Sequence, residues 1–220
     1  MGSDTACALV TAAGNSTRMA GGIKKEYRLI DSVPILRRIC FIFHETGLFS
    51  NIFVTCPPGD GETVRGILGK DLRDSVSIVN GGGSRQESVF AGLTAMAACN
   101  PVWVLIHDGS RPWISSELIT RVLDTTRREG ACIPAVPSVD TLVTLDSRDN
   151  VAAYPDRELV LRVQTPQGFS FKDIYTSHRV ASSDGRVYND DSEIYRTYCK
   201  EVRVIPGDPE NRKITYPRDM

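Results

Sequence analysis

The sequence predicts an α/β fold, a mostly parallel sheet flanked by helices, with a β-hairpin arm protruding from it. Three observations carry this expectation. Short apolar runs alternate with helical patterns through the first two-thirds of the chain, as they do where helices connect and cover parallel strands. The first apolar run, residues 7–10, empties into the small-residue turn Ala12-Ala13-Gly14. From Pro137 to about Val163 the pattern changes to two β-prone stretches, 141–144 and 151–154, around the polar turn Asp146-Ser147-Arg148-Asp149-Asn150.

After the first strand, Pro34 is expected to open a helix in which Ile35, Ile39, Ile42 and Phe43 share one face, with Gly47 as its stop. Residues 51–56 and 76–79 read as the next strands. Ser84-Arg85-Gln86-Glu87 is a capping-box sequence, and Val89, Leu93 and Met96 supply the buried stripe of the helix it starts. Residues 103–106 form a further strand, 116–129 a helix stopped by Gly130, and 132–136 another strand. The hairpin at 137–163 has two readings. It leaves the globule and offers a second subunit a place to dock, or it packs on its own domain.

A chain of 220 residues can bury a substantial core, and it is expected to form one domain over 1–220 that includes the arm. Its 26 basic and 27 acidic side chains leave a formal net charge of −1, which gives no general reason to expect nucleic-acid or membrane partners. The residues Met1-Gly2-Ser3-Asp4-Thr5 carry no signal pattern, and no apolar stretch approaches a membrane span, so a cytoplasmic protein is expected. The six cysteines show no Cys-x-x-Cys pairing and read as buried free thiols. His44, His107 and His178 are dispersed in the sequence, so neither a metal cage nor a Ser/Cys-His nucleophile is expected.

The chemistry is expected at the carboxyl ends of the strands. Ala12, Ala13 and Gly14 are small enough for backbone N–H groups to approach a polyanion, and Arg18 and Lys25 follow as cations. Gly-x-Gly-x-x-Gly and the Gly-Lys-Ser/Thr ending of a P-loop are both absent, which weakens hydride-transfer and P-loop readings. Asn80-Gly81-Gly82-Gly83-Ser84-Arg85 is either a flexible turn or a close approach to a flat group such as a base. In His107-Asp108-Gly109-Ser110-Arg111-Pro112, Asp108 suits a hydroxyl or assists a Mg²⁺ carried by phosphate. Arg111 suits a phosphate or a structural Asp–Arg pair. Asn189-Asp190-Asp191 suits a helix start, and Lys213 reads locally as a surface lysine.

From Ala8 onward the ordered set resembles the 2-C-methyl-D-erythritol 4-phosphate cytidylyltransferases. The matching pieces are Ala12-Ala13-Gly14 with Arg18-Met19, Gly81-Gly82 with Arg85 and Ser88, His107-Asp108 with Arg111-Pro112, Asp140-Thr141, Thr165-Pro166-Gln167, and Asn211 with Lys213-Ile214-Thr215. The resemblance implies a Rossmann-like sheet and a homodimer formed through the arm. It also implies transfer of the cytidylyl group of CTP to 2-C-methyl-D-erythritol 4-phosphate, with Mg²⁺ carried mainly by the CTP phosphates. By position, Ala12, Ala13, Gly14, Gly82 and Ser88 surround the nucleotide, and Arg18 and Lys25 meet the triphosphate. Asp108, Gly109, Arg111, Thr165 and Lys213 form the acceptor pocket, while Thr141 and Arg157 reach the partner subunit's site. Arg18, Lys25, Arg157 and Lys213 are thereby implied as catalytic.

Several positions depart from that pattern. Asn15-Ser16, Lys24, Glu26 and Gly83 alter the nucleotide loops, Val143 and Asn189 fall near the acceptor, and the chain stops at Pro217-Arg218-Asp219-Met220, short of a usual final helix. A ribitol-5-phosphate cytidylyltransferase is the alternative activity. A non-catalytic nucleotide-binding module is a weaker one, because such a module would be expected to lose its cations first, and a nicotinamide oxidoreductase is a third.

Overall fold

The structure is a computed structural model that describes residues 4–14 and 24–220. Strand β1 (Ala6–Thr11) is followed by a 3-10 turn at Lys25–Tyr27, a small ladder of β2 (Leu29–Ile30) and β3 (Val33–Pro34), and helix α1 (Ile35–Glu45). Then come β4 (Asn51–Cys56), α2 (Gly61–Leu68), β5 (Val76–Asn80), α3 (Arg85–Met96), β6 (Trp103–Asp108), α4 (Ser116–Glu129) and β7 (Ala131–Pro137). The last third holds β8 (Thr144–Leu145), β9 (Val151–Ala153), β10 (Leu161–Val163), β11 (Gln167–Ser170), α5 (Phe171–Ala181), α6 (Asp191–Tyr198) and β12 (Arg203–Pro206).

Strands β5, β4, β1 and β6 lie side by side and parallel. β11 enters antiparallel between β6 and β7. Cys132 of β7 is matched both with Gly168 of β11 and with Arg203 of β12, and a strand residue has only two edges, so β12 closes the far side of the sheet. β10 runs antiparallel along β7, on the edge that β11 occupies lower down.

Strand alternation sends successive side chains to opposite faces, and this builds two cores. Ala6, Ala8 and Val10 of β1 pack with α1, α2 and α4, whereas Cys7 and Leu9 face α3, α5 and Tyr195 of α6. The mostly parallel sheet flanked by helices is therefore the fold. On α1, Ile35, Ile39 and Phe43 are fully buried, while Phe41 points outward and is half exposed. Gly47 ends this helix at φ +61°, its N–H reaching the His44 carbonyl.

Several details differ from expectation. Pro34 precedes α1 as the last residue of β3. At α3 the Ser84 hydroxyl accepts from Glu87 N–H at 3.1 Å, but the Glu87 carboxylate reaches back to Gly83 N–H at 2.7 Å, one residue beyond the expected partner. Helices α2 and α5 and strands β11 and β12 were not anticipated. The hairpin ladder pairs only 144–145 with 151–153, so 141–143 lie outside it, and within the turn the Asp146 carboxylate takes the N–H groups of Arg148 and Asn150. Residues 161–163, assigned to the arm, pair with β7 in the main sheet. Beyond them the arm is exposed almost throughout, with Val139 at 80% and Leu159 at 83%.

Candidate active site

The register of the sheet brings the two chemistry-bearing loops together. Thr11, the last residue of β1, is matched with Asp108, the last residue of β6, so the Ala12-Ala13-Gly14 turn and the Asp108 carboxylate leave adjacent strands at the same rim. Ala12 is tied to β4 by its N–H on the Thr55 carbonyl at 2.8 Å. The β5–α3 glycine loop lies directly over this turn. A Cβ on Gly81 would collide with the Ala13 methyl group and the Ser88 hydroxyl, so only glycine allows that approach. Ser88 is buried, donates to the Ser84 carbonyl at 2.7 Å and accepts from Gly82 N–H at 3.1 Å, which holds the loop. Gly109 is equally constrained, since its Cβ would lie 2.6 Å from the Thr11 carbonyl oxygen.

Asp108 is the centre of charge. Its Oδ1 accepts from Arg85 Nε at 3.2 Å, its Oδ2 accepts from Lys213 Nζ at 2.7 Å, and Arg111 Nε lies 3.9 Å away. Burial alone would raise its carboxyl group, but Arg85, Lys213 and Arg111 outweigh that and hold it well below the usual carboxylate range. Lys25 is brought to the same rim, its ammonium 3.5 Å from the Ile214 carbonyl, next in sequence to Lys213.

Behind Asp108 the polar groups form one chain. His107 Nε2 faces the Arg111 carbonyl at 3.1 Å, and a carbonyl only accepts, so Nε2 carries the proton. Burial pushes the imidazole down to about 4, so Nδ1 is bare at neutral pH and takes the Thr165 hydroxyl proton at 3.1 Å. The same Thr165 oxygen accepts from Asp108 N–H at 3.0 Å. Among the described residues no further donor meets this oxygen, which leaves one acceptor lone pair over. Asn211 Nδ2 donates to the Thr165 carbonyl at 2.7 Å, and the Asn211 carbonyl in turn takes Arg111 Nη1 at 2.9 Å. A cavity of about 390 Å³ opens beside this cluster, lined by five cations, Arg111, Arg162, Arg212, Lys213 and Arg218, against one carboxylate, Asp219, with Val136 and Val163. Its charge suits an anionic ligand and its two valines an apolar substituent.

The remaining expected residues lie elsewhere or outside the description. Arg18, with Asn15, Ser16 and Met19, falls outside the described residues. Thr141, Val143 and Arg157 sit exposed on the arm. Asn189 lies just before α6, its amide 2.8 Å from Glu193 Oε2. Asp190 caps α6, as its position suggested, accepting from Glu193 N–H at 2.9 Å. Cys7, Cys40, Cys56 and Cys132 are buried, whereas Cys99 and Cys199 are exposed, so the thiol expectation holds for four of six. Burial pushes the Cys40 and Cys132 thiols up to about 12, which makes them poor nucleophiles.

Sequence reasoning assigned no role to the ion network behind Arg85. Asp191 and His178, which pair with each other, are wholly buried, and Asp191 also pairs with Arg85. The partners are 106 positions apart in the chain for Arg85 and Asp191, and no local spacing signals such a pair.

The model of the family described as 2-C-methyl-D-erythritol 4-phosphate cytidylyltransferase matches residues 6–220. A protein of that name from Geobacter metallireducens is 36% identical over 217 residues, covering 97% of this chain and 93% of its own length. A bifunctional IspD/IspF enzyme from Bradyrhizobium diazoefficiens is 38% identical over 218 residues, and the chain spans 54% of its length. The crystal structure of 4-diphosphocytidyl-2C-methyl-D-erythritol synthase from Anaerococcus prevotii superposes with a TM-score of 0.87 at 28% identity, covering 98% of this chain and 92% of that one.

Proposed function

The chain belongs to the 2-C-methyl-D-erythritol 4-phosphate cytidylyltransferase family, and from this and the geometry at the β1 and β6 ends we infer how its residues carry the reaction. The enzyme transfers the cytidylyl group of CTP to 2-C-methyl-D-erythritol 4-phosphate, giving 4-diphosphocytidyl-2-C-methyl-D-erythritol and pyrophosphate in isoprenoid biosynthesis. The observation that carries the assignment of roles is the register of Thr11 against Asp108, which sets a small-residue phosphate turn one strand away from a carboxylate ringed by cations.

CTP takes the β1 side. Ala12, tied to β4, anchors the turn, Ala13 and Gly14 admit the phosphates to the backbone, and Gly82 and Ser88 form the wall toward cytosine and ribose. The acceptor takes the β6 side. Asp108 and the spare lone pair of Thr165 accept from its hydroxyl groups, Gly109 and Arg111 close the pocket, and Val136 and Val163 offer the apolar wall that its methyl group needs. The acceptor phosphate oxygen is already anionic, so no strong base is required. It attacks the α-phosphorus, the new P–O bond forms, and the bond to the bridging oxygen of the β-phosphate breaks with its electron pair leaving on pyrophosphate. Arg18 and Lys25 stabilise charge on the α-phosphate and leaving group. Lys213, anchored on Asp108, and Arg157 from the partner's arm hold the nucleophile in line.

Among the described residues no three His, Cys, Asp or Glu side chains converge into a metal cage, and both Asp108 oxygens already accept from cations. A Mg²⁺ would then be carried mainly by the CTP phosphates, where it would neutralise charge on the transferring polyphosphate. The homodimer is supported by the exposed apolar arm, with Val139, Leu145, Val151, Tyr154 and Leu159 uncovered in one subunit. No helix among the described residues is long and apolar enough to cross a membrane, and six unpaired cysteines support a cytoplasmic setting.

The test is pyrophosphate release with CTP and each polyol phosphate. Methylerythritol 4-phosphate is the expected preferred acceptor. Equal or faster turnover of ribitol 5-phosphate overturns the acceptor assignment and favours the alternative activity.

A further inference from the structure

Arg85 divides its guanidinium between two carboxylates. Nε reaches Asp108 Oδ1 at 3.2 Å and Nη2 reaches Asp191 Oδ2 at 2.7 Å. The second carboxylate is itself oriented, because His178 Nε2 donates to Asp191 Oδ1 at 3.2 Å. His178 is fixed in turn by parallel stacking on Phe90, with ring planes 8° apart. Asp191 and His178 show no surface to solvent at their side chains, and the reaction as described uses neither.

An Arg fork prefers to grip one carboxylate with two parallel N–H bonds. Here the two nitrogens of the fork serve different carboxylates, with Nη2 on Asp191. We propose that Asp191 and His178 are positioning residues that keep Arg85 from closing bidentately on Asp108, so that Asp108 retains acceptor capacity for the hydroxyl groups of the polyol phosphate. Without Asp191 the guanidinium is free to turn until both its nitrogens lie on Asp108. The lone pairs meant for the acceptor are then consumed, while the nucleotide loops are untouched. The proposal rests on the reading of Asp108 as an acceptor-binding group.

The experiment measures kcat and KM for both substrates in Asp108→Asn, Asp191→Asn, Arg85→Lys and the Arg85→Lys/Asp191→Asn double variant. Lysine supplies the cation as a point charge and has no fork, so it tests the grip itself. The expected result is an acceptor KM at least tenfold higher in Asp191→Asn, with the KM for CTP within twofold of wild type. In the Arg85→Lys background, Asp191→Asn is expected to change the acceptor KM by less than twofold. Equal rises in both KM values, or an Asp191→Asn effect that persists undiminished in the Arg85→Lys background, overturns the proposal in favour of plain structural support. If Asp191→Asn is too poorly folded to assay, the His178 pair decides. His178→Gln keeps an N–H donor and is expected to keep the acceptor KM near wild type, while His178→Leu raises it selectively, and equal acceptor KM values in the two overturn the proposal. An unchanged acceptor KM in Asp108→Asn instead overturns the underlying reading of Asp108.

Discussion

Replacing Thr165 by Val tests the polar chain behind Asp108. The hydroxyl group has two protein partners, Asp108 N–H at 3.0 Å and His107 Nδ1 at 3.1 Å. His107 is fully buried and Thr165 is 5% exposed, and the second methyl group of Val fills the place of the lost oxygen, so no water takes over its two hydrogen bonds. Each orphaned group costs about 1–3 kcal/mol, and two together about 4 kcal/mol as a central value. For a chain of this size roughly 2–4 °C is lost per kcal/mol, so the expected drop in Tm is about 8–16 °C. Thr165→Ser keeps the oxygen and loses one methyl group, which costs about 1 kcal/mol. The assay is thermal unfolding of the two variants and wild type without substrate, followed by circular dichroism. A Val variant that melts within two degrees of the Ser variant would refute the assignment of the Thr165 proton to His107 and the dependence of the Asp108 loop on it.

Lys25→Ala is expected to lower kcat by about 100-fold with folding intact, because the ammonium meets charge that grows in the transition state, and steady-state kinetics showing only a higher KM for CTP would contradict this. Gly81→Ala drives a methyl group into Ala13 and Ser88, so CTP binding should weaken at least tenfold in titration calorimetry, with about 1–3 kcal/mol of stability lost in urea unfolding. His107 is held neutral near 4 against an ordinary 6.5, so the unfolded chain binds more protons in that window. Its contribution of about 3 kcal/mol is complete above pH 6.5 and is lost as pH falls through 4, and urea unfolding at pH 7 and pH 4 should show a smaller decline in His107→Gln than in wild type. If the arm residue serves the partner as proposed, mixing Lys25→Ala with Arg157→Ala under verified subunit exchange should make about half of the dimers hybrid and restore about a quarter of all sites; isolated hybrids as inactive as their parents would rule that out.

Much of the fold was legible in neighbouring residues because its signals are local. The apolar runs of β1, β4, β5 and β6, the helical stripe of α1, and Ser84 and Asp190 as caps each depend on residues a few positions apart, which is the range over which strand and helix periodicity acts. Helix α2 escaped because only Val64 and Leu68 mark its buried face, and β11 and β12 because their pairing with β7 is set by chain crossings rather than by their own letters. Asp108, Arg111 and the Ala12-Ala13-Gly14 turn could be named singly from the loops that hold them, whereas Thr165 and Lys213 were named only through the family resemblance. Their partnerships could not be named. Lys213 meets Asp108 across 105 positions, and Arg85 meets Asp191 across 106, because the sheet register and the docking of α6 carry them there. Sequence by itself determined which side chains can bear charge, cap a helix or admit a phosphate. Only the tertiary structure decided which charges share one desolvated rim, since burial and distance, which set the strength of every such pair, belong to the folded chain.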